Sequence, residues 1–225
     1  MRLQTAKLRA RLGGAADFHF INGWLKTRAF DPAVEKRFGG EENHFFSWYD
    51  VVHDDISGRP YEESLLDERG VAFRYPGADE AIERLDGYVD GPDGPFDALL
   101  GFSQGAILIT MLSARRLKRA REGVGPPPSW RSNVLICGMP VRAEGLRREL
   151  GLDETPLEFP CTIAQGTSDP FYPWARRVDE HYVAPTTVSY DEGHRFPHDR
   201  QATAALAESI LVNLRIADAV ADEET

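Results

Sequence analysis

Gly101-Phe102-Ser103-Gln104-Gly105 interrupts the apolar run from Pro95 to Thr110 with a serine spaced two residues from a glycine on either side. That spacing fits a strained strand-to-helix turn that displays a nucleophile, in which the glycines keep the turn clear of the neighbouring strand and helix. The N-terminus of the following helix would set a partial positive charge and free N–H groups beside a developing oxyanion. A serine at neutral pH needs a base, and the base needs an orienting carboxylate. With this kind of turn, the acid and then the histidine follow later strands. Asp169 comes just after "CTIAQG" in "TSDP", and His194 just after "TTVSYD" in "EGH". Strand C-terminal ends are where α/β sheets gather their reactive groups. An Asp before Pro is also common turn chemistry, and His198, His181 and His53 are competing bases. Chain order and strand-end placement favour Ser103, Asp169 and His194, with Gly193 letting a short loop swing His194 toward the turn.

The elements that must carry these residues are legible as apolar runs. Strand candidates are Asp17–Ile21, Asp97–Phe102, Asn133–Gly138, Cys161–Gly166 and Thr186–Asp191. Several are near-continuous rather than alternating, as parallel strands covered on both faces require. Helical patterns fall at Asp79–Val89, Gln104–Arg121, Pro173–Tyr182 and Arg200–Ile216. Alternation of this kind predicts a three-layer α/β sandwich around a mostly parallel sheet with right-handed crossovers. All 225 residues read as one domain, which is long enough to bury a sizeable core.

Two stretches break the alternation. Residues 24–77 are irregular and aromatic, with "HFFSWYD", Phe30, Phe38, Tyr61, Phe73 and Tyr75; long loops inside a compact domain serve as lids or binding loops, or else cap a sheet edge. Phe45, Phe46, Trp48 and Tyr49 are the candidates to line or cover a substrate site. Glu122–Trp130 is a Pro/Gly-rich linker, and residues 217–225 form an acidic tail that should fray.

Charge and composition exclude several classes. The net charge of −10 argues against nucleic acid or anionic membrane as the main partner. "SARRLKRARE" reads as a solvated helix face; the alternative, a dock for an acidic partner such as an acyl carrier protein, has no other support. Cys137 and Cys161 show no metal or redox spacing and read as reduced core residues, which suits the cytoplasm. No run spans a bilayer. No phosphate loop or metal-ligand cluster stands out, so neither cofactor nor metal is expected, and "HDD" at His53–Asp55 reads as solvated. The basic, amphipathic opening "MRLQTAKLRARLGGAA" fits either a transit peptide or a surface helix ending at Gly13-Gly14.

"LLGFSQGA", "IAQGTSD", the final "GH" and "RLQTAKLRARLG…FHFINGW" together resemble the FSH-type serine hydrolases. This α/β-hydrolase family includes an ovarian-tumour-associated human esterase and polyketide-releasing fungal hydrolases. "FFSWYD" followed by "YEESL" resembles the family's aromatic linker, so the likeness runs from about Leu3 to about Arg200. The resemblance implies hydrolysis of a carboxylic ester or thioester, with Ser103 as nucleophile, His194 as base, Asp169 as its orienter and Gln104 N–H as an oxyanion donor. It also makes the opening helix part of the fold, against the transit-peptide reading.

One departure follows from that resemblance. Family members open with an extra central strand ending in His-Gly, which supplies the second oxyanion donor, whereas this sequence opens inside the helix. Leaving inner strand edges unpaired costs about 1–3 kcal/mol per unsatisfied group. Three readings result: the sequence lacks its front portion, the strands at "FHFI" and "DALLGF" pair directly, or the protein is a weak or inactive relative acting as a binding module. The first is preferred, because the nucleophile turn and its partners persist. In the chain as given, the backbone around Asn22–Trp24 is the candidate second donor.

Overall fold

In the computed structural model the described residues are 1–28, 36, 45–55 and 71–223. Phe30, Phe38 and Tyr61 of the aromatic stretch lie outside them. Eight strands occur among the described residues: β1 (Leu25–Thr27), β2 (Phe45–Ser47), β3 (Val52–Asp55), β4 (Val71–Arg74), β5 (Ala98–Phe102), β6 (Ser132–Ile136), β7 (Cys161–Gly166) and β8 (Thr186–Tyr190). The α-helices among these residues are α1 (Ala6–Leu12), α2 (Ala78–Val89), α3 (Gln104–Arg121), α4 (Glu144–Glu149), α5 (Tyr172–Ala175) and α6 (Arg200–Glu223).

The parallel sheet runs β5-β6-β7-β8, each strand joined to the next by a helical crossover. Its central strands β6 and β7 are buried along their whole length, which is why "SNVLI" and "CTIAQG" read as continuous rather than alternating. Side chains still alternate between faces. Val134, Ile136, Ala164 and Val188 pack against Leu8 and Leu12 of α1 and Leu206, Ala207 and Ile210 of α6. Leu99, Leu135 and Ile163 face the opposite way, onto Ile82 and Leu85 of α2 and Ile107, Leu108 and Met111 of α3. Two apolar layers on one sheet make the expected three-layer sandwich. Helix α1 docks on α6 with Lys7 Nζ donating to the His198 carbonyl at 2.6 Å, so the opening segment belongs to the fold.

Several expectations are corrected. Residues 17–21 are not a strand. They run extended after α1, with Phe18 stacked on Phe20 and His19 edge-on to Phe96, and no backbone ladder forms. Apolar alternation gives a segment the capacity to pair, but a strand also needs a neighbour in register. Direct pairing with β5 does not occur, because β5 bonds to β6 alone among the described strands. The aromatic stretch is more regular than expected, since it contributes two antiparallel pairs, β1–β2 and β3–β4. The expected helix from Pro173 to Tyr182 is one α-turn followed by a 3₁₀ segment, Arg176–His181. Helix α6 extends beyond the expected end at Ile216, to Glu223.

The basic run of α3 is only partly a solvated face. Arg116 is buried and reaches Asp86 Oδ1 at 2.5 Å and Asp90, and Arg115 pairs with Asp79, so cations from this run bind α2 to α3. His53 sits in β3 with its ring 5.8 Å from that of Phe73, while Asp54 pairs with Arg74 at 3.1 Å.

Candidate active site

Ser103 occupies the hinge between β5 and α3 with φ 52° and ψ −117°, a conformation that L-residues adopt only when the surroundings impose it. The turn is anchored by Ser103 N–H donating to Ile136 O of β6 at 2.9 Å. A Cβ on Gly101 would lie 2.5 Å from Ala106 N and from the Gly105 carbonyl group, so this position admits only glycine. Gly105 differs: a Cβ there would meet only Trp48 Nε1, at 3.4 Å. The second glycine of the motif therefore leaves room for an indole rather than for the turn itself. Gln104 begins α3, and its N–H is among the first-turn donors without an intrahelical partner.

Asp169 follows β7 and is buried, its side chain only 1% exposed. One carboxylate oxygen, Oδ1, accepts the Phe171 N–H at 2.8 Å, and the other, Oδ2, lies 2.6 Å from His194 Nδ1. The carboxylate thus has one oxygen fixed by backbone and the other on the imidazole. The loops carrying the pair are bound together. Thr167 N–H donates to Tyr190 O at 2.8 Å, Ser168 N–H donates to Glu192 O at 3.0 Å, and Gly166 packs so closely on the Glu192 carbonyl that a Cβ would fall 2.3 Å from its oxygen. The Tyr190 hydroxyl donates to Arg195 O at 2.5 Å and holds the far side of the His194 loop.

The imidazole of His194 lies between two phenyl rings, 4.9 Å from Phe102 and 5.4 Å from Phe171. Phe102 is the residue before Ser103, so this contact brings the Asp169–His194 pair beside the Ser103 turn. Among the described residues Ser103 Oγ makes no hydrogen bond. His198 is occupied elsewhere, since its Nδ1 lies 3.1 Å from Glu192 Oε2. Burial opposes the ionised form of Glu192, but the N–H groups of His198 and Asp199 and the His198 ring outweigh it and hold that carboxyl below its usual range. His181 is buried in the core, its Nε2 accepting the Val141 N–H at 3.1 Å.

Of the four aromatic candidates, Trp48 comes nearest the turn, edge-on to Trp24 at 5.2 Å. Tyr49 is a core residue, 1% exposed and against Tyr75. Phe45 and Phe46 belong to β2, with Phe46 exposed. Sequence reasoning missed the Gln104 side chain, which accepts from Trp48 N–H at 2.9 Å and donates to Tyr49 O at 2.8 Å. It also missed Phe102 and Phe171 around the imidazole, whose only signal is their position next to Ser103 and Asp169. The backbone of Gly23 is pressed on Ser47 and Trp48, where a Cβ would fall 2.2 Å from Ser47 O. This places Asn22–Trp24 against the segment that Gln104 holds.

Comparison with known proteins agrees with this architecture. The chain is 27% identical to the human "Esterase OVCA2" over 205 residues, covering 87% of this chain and 82% of that protein. It is 25% identical to "Esterase C25G4.2" of Caenorhabditis elegans, covering 87% and 79%, and 26% identical to "Hydrolase phiM" of a fungal species, covering 68% and 72%. Among solved structures, acyl-protein thioesterase 2 of Zea mays superposes with a TM-score of 0.51 at 16% identity, covering 76% of this chain and 74% of that one, a likeness of fold. The fold is that of the α/β hydrolases. The family described as "Serine hydrolase (FSH1)" matches residues 1–206, and the chain belongs to that family.

Proposed function

We propose that the protein hydrolyses a carboxylic ester or thioester with an apolar acyl chain, using Ser103 as nucleophile, His194 as general base and Asp169 as the group that orients the imidazole. The observation that carries this reading is the 2.6 Å contact between His194 Nδ1 and the buried Asp169, on an imidazole packed against Phe102 at the strained Ser103 turn. With Nδ1–H directed at the carboxylate, Nε2 is left as the acceptor for the serine proton. As the tetrahedral intermediate forms, Gln104 N–H donates to its oxyanion, and the backbone at Asn22–Trp24 is the candidate for the second donor. Removing one such donor typically costs about 10²–10³ in turnover. Trp48, beside Gly105, and Phe171 offer apolar surface for the acyl chain. The names of the relatives favour ester chemistry, and the choice between an ester and a carrier-bound thioester rests on substrate trials.

No helix among the described residues is long and apolar enough to cross a membrane. The two buried, unpaired thiols fit a reducing compartment, the cytoplasm. The alternative reading is an inert binding module of the same fold. A fluorophosphonate probe separates the two: labelling at Ser103, abolished in Ser103→Ala, is expected for the hydrolase. A well-folded protein that stays unlabelled, or labels elsewhere, overturns it.

A further inference from the structure

Cys137 directly follows β6 in a left-handed backbone conformation, φ 48°, and turns its thiol toward the loops that carry Asp169 and His194. Its Sγ lies 3.3 Å from the Tyr190 hydroxyl and 3.4 Å from Arg195 O. The Cys137 sulfur, an Asp169 carboxylate oxygen and a His194 ring nitrogen all lie within 4.8 Å of one another. Thiolate, carboxylate and imidazole are the donors that zinc takes in tetrahedral sites, and here they come from three successive strand ends of one sheet.

We propose that Cys137, Asp169 and His194 form a binding site for a thiophilic divalent cation, Zn²⁺ or Cd²⁺, and that occupying it switches the hydrolase off. Admitting the ion requires the sulfur to close in on the pair and the 2.6 Å Asp169–His194 hydrogen bond to part. Of the two, the imidazole is the more accessible, 25% exposed against 1% for the carboxylate, so the ion enters past His194. On binding, the Cys137 S–H bond breaks, its proton leaves to solvent and an S–metal bond forms. The metal takes His194 Nδ1, whose proton is replaced by one on Nε2, so the imidazole stays neutral and nothing is oxidised or reduced. Nε2 then becomes a donor and can no longer accept from Ser103. Water fills the fourth position. Burial raises the Cys137 thiol above its ordinary range, so the ion must displace a proton that the free protein holds firmly.

Inhibition rests on the proposed catalytic role of His194, whereas binding does not, and the experiment reads the two separately. The full chain is titrated with Cd²⁺ while thiolate-to-metal absorption in the ultraviolet is followed. In parallel, the rate of fluorophosphonate labelling is measured against Zn²⁺ and again after EDTA. The wild type and Cys161→Ser should develop the absorption at one equivalent, and Cys137→Ser should not. Cys137→Ser should label normally without metal and require at least about 10–100-fold more Zn²⁺ for inhibition. His194→Gln provides a second variant should Cys137→Ser fold poorly; it should weaken the absorption by a similar factor. A flat Cd²⁺ titration of folded wild type, absorption that survives in Cys137→Ser, or equal Zn²⁺ sensitivity of that variant overturns the site. Cys137-dependent absorption in a protein that never labels supports the site and overturns the hydrolase reading.

Discussion

The Gln104 carboxamide is bound to the backbone of Trp48 through a 2.9 Å hydrogen bond, and its other end takes the Tyr49 carbonyl at 2.8 Å. One side chain therefore satisfies a donor and an acceptor of the aromatic segment, while the same residue's N–H opens α3 behind Ser103. The Ser103 turn and the proposed acyl surface are joined at a single residue.

Gln104→Ala removes both side-chain bonds and leaves the backbone N–H in place. At about 1 kcal/mol net per hydrogen bond, stability should fall by roughly 2 kcal/mol. With Trp48 released, KM for long-chain p-nitrophenyl esters should rise more than kcat falls, and the preference for long acyl groups over acetate should shrink. Steady-state kinetics across a chain-length series checks this. An unchanged preference in a folded variant would separate Trp48 from substrate binding.

Asp169→Asn preserves shape and still accepts the Phe171 N–H, but it presents an amide donor to His194 Nδ1. The imidazole then adopts the other tautomer, with its proton on Nε2, and kcat should drop on the order of 10⁴-fold with little change in melting temperature. A loss below about tenfold would mean that Asp169 does not orient the base.

The centre of the sheet was legible because strands buried on both faces leave continuous apolar runs, and β6 and β7 do so. The placement of Ser103, Asp169 and His194 just after three strands could be read for a related reason: in a parallel sheet the residues that follow strands gather at one edge. Residues 17–21 were misread because apolarity records what a segment can bury, while a ladder depends on its neighbour. Strands β1 and β2 have three residues each and pair across a long separation, so no local pattern marks them. Arg116 looked solvated because its partners, Asp86 of α2 and Asp90 just past the end of that helix, are distant in sequence. The closeness of Cys137 to Asp169 and His194 comes from the two crossovers that join β6 to β7 and β7 to β8, and has no counterpart in sequence spacing.

The two glycines of the Ser103 turn should respond in opposite ways. Gly101→Ala sets a Cβ 2.5 Å from rigid backbone, beyond ordinary overpacking at about 1–3 kcal/mol, and should give little folded protein. Gly105→Ala lies in α3, where alanine gains about 1 kcal/mol of helix propensity, and its methyl meets only the Trp48 indole. It should melt no lower than wild type yet alter acyl-chain selectivity. Equal loss of fold in both variants would contradict the assignment of Gly105 to Trp48.

His181 should make stability depend on pH between neutrality and mild acid. Burial, and after it the positive charge of Arg147, hold this imidazole down to about 4 against an ordinary value of 6.5; Glu180 and Asp153 pull the other way and Arg177 adds to the lowering. The folded protein therefore keeps His181 neutral, with Nε2 accepting the Val141 N–H, while the unfolded chain takes up a proton as pH falls below about 6.5. Because the unfolded state binds more protons in this window, stability is full above 6.5 and is lost progressively toward 4. The loss amounts to about 3 kcal/mol. Glu192 and Asp90, whose carboxyls are held below their ordinary range, contribute stability that is lost at lower pH still. His181→Gln can present a neutral acceptor to Val141 without taking up a proton. Urea unfolding at pH 7 and at pH 4.5 should show a smaller difference for this variant than for wild type, and an undiminished difference would place the acid sensitivity on another group.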